Sequence, residues 1–318
     1  MTRTLVRERS PISTKWGKSP SERTMEEILD AGLINLDKPQ GPTSHQVTAW
    51  VRDMLGLKRI GHGGTLDPKV SGVLPIATGR ATRAADITLR TDKEYVCVMK
   101  LHRDKNEGDL RRVMSSFVGE IYQIPPVRSA VKRQMRVRTI HSITVLEVQG
   151  RSVLFRVTCD AGTYIRSLCV DIGEALGVGG QMEDLRRTRS GNLREDESVQ
   201  LQDVKDAYVL WKEEGEESWL RKIVQPFEAL FAPLPKIVIK DSAVDAICRG
   251  ADLAVVGVAR LDDTVATGST VAIMSEKGEG IAMATARMNA NQILDAREGI
   301  AAETERVFMR PNTYPSMW

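Results

Sequence analysis

Three features of the sequence predict an α+β protein built from two domains. Helix-like and strand-like segments alternate irregularly and are joined by hairpins rather than by regular crossovers. A cluster of prolines begins at Pro226 and ends at Pro235, where it would be costly inside a helix or a central strand. Beyond that cluster the chain becomes short Val/Ala/Ile segments split by Gly and Asp, the texture of a small β-rich domain. The 318 residues are enough for two such bodies. This places an N-terminal extension at residues 1–31, a larger mixed-sheet domain at 32–230, and the β-rich domain with its tail at 231–318.

Each element has a local reason. Residues 1–31 lack a sustained apolar period and must lean on another part of the chain to be ordered. "GLINLDKPQGPTS" reads as an apolar strand ending in a Pro/Gly turn. Ser44 is placed to cap the next helix, whose apolar face is Val47, Val51, Met54 and Leu55, and Gly56 closes it. "EYVCVMKL" is strand-like, and a helix from Asp109 puts Leu110, Val113, Met114 and Phe117 on one face before Gly119. Two strands follow around Gln149-Gly150. A helix in "GTYIRSLCVDIGEALG" turns Ile165, Leu168, Cys169, Ile172 and Leu176 inward, and "LRRTRSGNL" returns as a strand.

The composition, 42% hydrophobic and 27% charged, is that of a folded globular chain. No apolar run is long enough for a membrane span, and the polar start lacks the apolar core of a secretory signal. Cys97, Cys159, Cys169 and Cys248 show no Cys-x-x-Cys spacing, which argues against a zinc site or a disulfide scaffold and fits small buried residues in a cytoplasmic protein. Net charge is only +3, but its distribution is uneven. Ile121 to Leu146 holds no acid and five cations, Arg128, Lys132, Arg133, Arg136 and Arg138. Such a stretch makes a local positive potential suited to a phosphate backbone, or else is a solvated loop.

The most suggestive stretch is "GHGGTLDPKVSGVLPIATGRATR", in which Asp67 stands among cations. Gly61, Gly63 and Gly64 allow close approach of another backbone, and Pro68 stiffens the chain after the carboxylate. A buried carboxylate needs a partner, and Arg166 at the start of its helix is the candidate; the pair would keep Asp67 ionised. These properties alone leave Asp67 open as a nucleophile or as a turn residue. The stretch lacks the Gly-Lys-Ser/Thr ending of a P-loop.

"INLDKPQGPTSH", "GHGGTLDPKVSGVL", "KEYV", "GTYIRSLCVDIGEAL" and "LRRTRSG" occur in the order and spacing of the TruB/dyskerin family of pseudouridine synthases, over about residues 33–230. The remainder resembles that family's C-terminal PUA domain. The resemblance implies an α+β catalytic domain that isomerises uridine in RNA, with Asp67 catalytic, Tyr95 stacking on the target base and Arg166 pairing with Asp67. It further implies that Leu185 closes the pocket, that His62 helps place the flipped nucleotide, and that Lys38 and Pro39 buttress the site. No cofactor and no metal are implied. "IPPVRSAVKRQMRVRTI" and "ERVFMRPNTYPSMW" favour the dyskerin type over the stand-alone transfer-RNA type, with an archaeal form favoured by the lack of Lys-rich tails. The implied partners are a box H/ACA guide RNA, substrate RNA and the small proteins of that particle; no membrane and no oligomer are implied. In that type the N-terminal extension packs against the PUA domain. Arg128, Lys132, Arg133 and Arg136 would then touch RNA or a small protein, and Arg249 and Gly250 the guide. A non-catalytic RNA-binding scaffold is the alternative of another class.

Overall fold

In a computed structural model, which describes residues 2–124 and 134–317, the chain forms two compact units. One comprises residues 34–76 and 85–219; the other gathers the chain up to Leu33, residues 77–84, and everything from Leu220 onward. Arg128, Lys132 and Arg133, expected to bind RNA, lie outside the described residues.

The chain opens with strand β1 (Thr4–Val6) and helix α1 (Met25–Asp30). Helix α1 was folded into the extension by the sequence reading. Its signal is the spacing Thr24-x-x-Glu27: the Glu27 amide donates to Thr24 Oγ1 at 3.3 Å and the Thr24 amide to Glu27 Oε2 at 2.9 Å.

The unit that carries Asp67 contains β2 (Gly32–Lys38), α2 (Ser44–Met54), β3 (Ile60–His62), β4 (Ser71–Thr78), β5 (Lys93–Leu101) and α3 (Glu107–Ser116). It continues with β6 (Gly119–Gln123), β7 (Arg136–Gln149), β8 (Ser152–Cys159), α4 (Ile165–Ala175), β9 (Gly180–Ser190), β10 (Leu193–Arg194) and α5 (Leu201–Glu214). Its main sheet runs β2-β4-β9-β5-β8-β7-β6, with β4 and β9 parallel and the ladder from β9 to β6 antiparallel. On β5 every second residue is buried, so Tyr95, Cys97, Met99 and Leu101 meet Leu168, Cys169 and Ile172 of α4 in one core. All four cysteines are buried.

Two helix starts differ from expectation. Thr43, not Ser44, caps α2 by a reciprocal exchange with Gln46. Asn106 caps α3, so that helix begins at Glu107, two residues before Asp109. Thr43 lies one residue before Ser44 and Asn106 three before Asp109; in both cases the earlier side chain accepts from the free amides of the first turn.

After α6 (Ser218–Ile223) and β11 (Val224–Pro226), the second unit builds β12 (Lys236–Ile239), α7 (Asp241–Cys248), β13 (Leu253–Ala254) and β14 (Val258–Asp262). It then adds β15 (Thr270–Ser275), β16 (Gly280–Ala286), α8 (Ala290–Asp295) and β17 (Ile300–Val307). The sheet order is β1-β14-β12-β15-β16-β17-β13, and its core is aliphatic. The N-terminal strand thus finds its partner here, with Leu5 opposite Leu261.

Candidate active site

Asp67 sits at the tip of the segment between β3 and β4, and its neighbours hold that tip from below. Leu66 and Val70 are buried in the core of the unit, while Asp67, Pro68 and Lys69 between them are exposed. Lys38, with no exposed surface, donates from Nζ to the carbonyls of Val70 at 2.8 Å, Pro68 at 3.3 Å and Pro39 at 2.8 Å. An ammonium has three hydrogens, and three acceptors surround it. Burial nonetheless pushes Lys38 below the usual lysine range, while the Asp67 charge works the other way. Ser44 both donates to the Leu66 carbonyl at 3.0 Å and accepts from the Leu66 amide at 2.9 Å. With Thr43 doing the capping, Ser44 is released for this inward task.

The Asp67 carboxylate is 55% exposed and not buried, which corrects the sequence expectation. The two apolar anchors go down, so the residue between them goes up. Its partner is as expected: Arg166, 48% exposed, pairs with it through Nη2. Arg166 lies in the first turn of α4, and the approach to that turn is pinned by buried Gln123. The Gln123 side chain donates to the Tyr164 carbonyl at 3.1 Å and accepts from the Tyr164 amide at 2.9 Å.

Beside this pair the wall is apolar. Tyr95 of β5, Leu185 of β9, Leu66, Val70 and Ile165 belong to one packed cluster. Burial raises the Tyr95 hydroxyl above the usual phenol value. His62 of β3 meets His45 edge-on, ring centroids 4.9 Å apart, and its buried Nδ1 has no hydrogen-bond partner among the described residues. Burial, with His45 and Arg187 nearby, holds His62 below the usual imidazole range. The site therefore unites Lys38, His62, Asp67, Tyr95, Arg166 and Leu185.

The glycines serve the chain itself more than an incoming backbone. A Cβ on Gly63 would stand 1.8 Å from Thr88 Oγ1. Gly72, at φ +102°, packs against the Arg187 backbone where parallel β4 and β9 meet, and a Cβ there would lie 2.2 Å from the Arg187 carbonyl oxygen.

Comparison with known proteins identifies the family. Residues 52–165 match the N-terminal domain of TruB family pseudouridylate synthases, 166–232 the C-terminal domain of tRNA pseudouridylate synthase B, 235–308 the PUA domain and 1–48 the DKCLD domain. A probable tRNA pseudouridine synthase B of Methanothermobacter thermautotrophicus is 54% identical over 95% of this chain and 94% of its own. The chain belongs to the TruB/dyskerin family of pseudouridine synthases. Among solved structures, a Cbf5-Nop10-Gar1 complex contains a chain 50% identical with a TM-score of 0.94, covering 99% of this chain and 96% of that one. An H/ACA ribonucleoprotein bound to a substrate RNA contains one 47% identical with a TM-score of 0.93, covering 100% and 98%.

The other residues expected to bind RNA lie apart from the Asp67–Arg166 pair. Arg136 starts β7, opposite Gln123 of β6. Arg249 closes α7 and is already engaged, donating to Asp245 Oδ2 at 2.8 Å and to Asn312 Oδ1 at 2.7 Å. Gly250, at φ +91°, has open space beside it. Three further residues are buried here that the sequence analysis does not assign to the site: Ser44, which reads there as a cap; Lys93, whose Nζ donates to the Thr88 carbonyl at 2.6 Å; and Arg187. The quoted motifs "TSH", "KEYV" and "LRRTRSG" contained all three. Among the described residues Asp92, His141 and Asp160 converge at the surface, where His141 Nε2 lies 3.1 Å from Asp160 and 3.5 Å from Asp92. No helix among the described residues is long and apolar enough to cross a membrane.

Proposed function

We propose that this chain isomerises uridine to pseudouridine in RNA, with Asp67 as the catalytic carboxylate, inside a particle in which a box H/ACA guide RNA selects the target. The observation that carries the chemistry is the accessible Asp67–Arg166 pair, mounted on a rigid loop beside a tyrosine and an apolar wall. The guided route is supported by the likeness, along nearly the whole chain, to proteins solved with Nop10, Gar1 and substrate RNA. The target nucleotide leaves its stack, Tyr95 and Leu185 receive the base, and His62 and Lys38 act by placement. Asp67 then attacks either the ribose or the base, Arg166 orients it, and the freed uracil returns through its carbon five. No cofactor or metal enters this scheme. Residues 32–230 form the catalytic domain, the extension 1–31 rests on the PUA domain at 231–318, Arg136, Arg249 and Gly250 contact RNA, and the protein works in the cytoplasm.

The test is tritium release from RNA labelled at carbon five of uridine, with the partner proteins present. Release that requires the guide and disappears in Asp67→Asn supports the reading. Release from transfer RNA alone moves the chain to the stand-alone type, a route favoured by the name of its Methanothermobacter relative. No release under any condition leaves the RNA-binding scaffold.

A further inference from the structure

We propose that Arg187 is a positioning residue of this isomerisation, tying β4 to the backbone of Gly64 beside Tyr95 while keeping an uncancelled positive charge beneath the reacting base. The inference rests on the pseudouridine-forming reaction just proposed. Arg187 is 2% exposed. Its Nε donates to the Val73 carbonyl at 2.7 Å and an Nη to the Gly64 carbonyl at 3.1 Å. Arg187 and Tyr95 are direct partners across β5 and β9, so their side chains stand on one face of the sheet. One side chain therefore ties β4 to the Asp67 loop with Tyr95 beside it.

Among the described residues no carboxylate pairs with Arg187. The residue before it on the same strand provides the contrast. Arg186 points to the other face and is neutralised by both Asp37, at 3.0 Å, and Glu195, at 2.7 Å. A guanidinium used only as glue is better placed as Arg186 is, because a buried cation without an acid is costly. Backbone carbonyls satisfy the Arg187 hydrogens but leave its charge whole.

The reaction supplies a transient anion at that place. If Asp67 attacks the ribose, the C1′–N1 bond breaks, its electron pair passes to the uracil, and the carboxylate oxygen bonds to C1′. If Asp67 adds to C6 instead, its lone pair forms the C6–O bond, the C5=C6 pair moves toward O4, and the C1′–N1 bond then breaks with its pair left on N1. Either way the ring carries a negative charge until carbon five bonds to C1′ and the carboxylate departs; the C5 proton is then lost and N1 takes one up. A fixed positive group near that ring stabilises this state more than the neutral uridine before it.

The experiment uses the guided complex under single-turnover conditions, with wild type, Arg187→Lys and Arg187→Met. Arg187→Met is expected to lower the rate at saturating RNA about 100-fold, the scale of losing one charge-stabilising donor, with half-saturation by RNA nearly unchanged. Arg187→Lys restores charge without the forked geometry and is expected to recover most of that loss. A second substrate carries 5-fluorouridine, followed by nuclease digestion and chromatography of the rearranged product. Fluorine itself stabilises the ring anion, so the Arg187→Met defect should shrink on it. A folded Arg187→Met with a wild-type rate, or with a defect equal on both substrates, overturns the proposal. So does an Arg187→Lys rate about 100-fold below wild type, because lysine keeps the charge, and that outcome is readable even if Arg187→Met does not fold. Wild type inactive on uridine would instead overturn the reaction assignment itself.

Discussion

In the unit that carries Asp67, the buried charged side chains among the described residues are Lys38, Lys93 and Arg187; in the other unit they are Asp241, Asp245 and Glu279. The cations are held by backbone carbonyls and hydroxyls. The acids are held by amides, hydroxyls and one arginine, and each fastens a terminal segment. Asp241 accepts from the Ser13 amide at 3.0 Å, Asp245 from the Asn312 amide at 2.8 Å, and Glu279 from the Lys18 amide at 3.1 Å and the Tyr314 hydroxyl at 2.5 Å. One unit thus keeps positive charge beside a surface meant for a polyanion, and the other uses negative charge to tie down the chain ends. Burying a charge is a cost in both; what differs is what the cost secures.

The largest expected effect that separates the two is at Lys38. Lys38→Met strips three loop carbonyls of their donor and should destabilise the protein by about 3 kcal/mol. Tritium release should fall at least tenfold, because the Asp67 tip loses its support. Urea unfolding and a rate at saturating RNA check this; a fully active variant breaks the link between buried cations and the site.

Next is Lys93, whose ammonium burial pushes down to about 7, with Arg187 adding to the shift. The unfolded lysine binds its proton up to about pH 10.4, so between pH 7 and 10 the unfolded state holds more protons. Stability should therefore rise with pH, by about 2 kcal/mol from pH 7 to 9, and should lose that increment as pH falls back toward 7. Denaturant unfolding at the two pH values reads the slope, and Lys93→Met should flatten it.

On the acidic side, Glu279→Gln keeps the shape but weakens charge-assisted bonds to Ser275, Tyr314 and the Lys18 amide. A loss of about 1–2 kcal/mol is expected, with the Asp67-dependent rate at saturating RNA unchanged. A rate loss larger than the stability loss would blur the distinction between the units. The smallest effect belongs to Arg249→Ala. Arg249 is half-exposed but its partner Asp245 is buried, so the loss should be roughly 2–4 °C in melting temperature, while binding of a guide RNA ending in ACA falls severalfold if the residue also meets RNA.

Legibility followed the chemistry. Asp67 and Arg166 are candidates from residue chemistry alone, which leaves Asp67 open as a turn residue; only the resemblance of the motifs to the TruB/dyskerin family singles out Asp67 and adds Tyr95. The strand alternation of β5 and the apolar stripe of α4 were readable because a packed core enforces their periods. Ser44 was misread because a serine before a helix looks like a cap, and only the structure shows Thr43 taking that role. Arg187 hid among four arginines in "RRTRSGNLR": which face of β9 each one takes depends on register shifts between β5 and β9 at Glu94/Tyr95 and Val98/Met99, which composition does not encode. The exposure of Asp67 escaped for a similar reason, since it follows from which neighbours anchor in the core.

The pairing of β1 with β14 carries a consequence in time. Leu5 and Leu261 are about 250 residues apart along the chain. At roughly 10 residues per second of synthesis, the first strand waits about 25 seconds for its partner to emerge. Throughout that interval an unpaired edge is free to meet another nascent chain, so the moment of greatest vulnerability for this protein comes before its last strand exists.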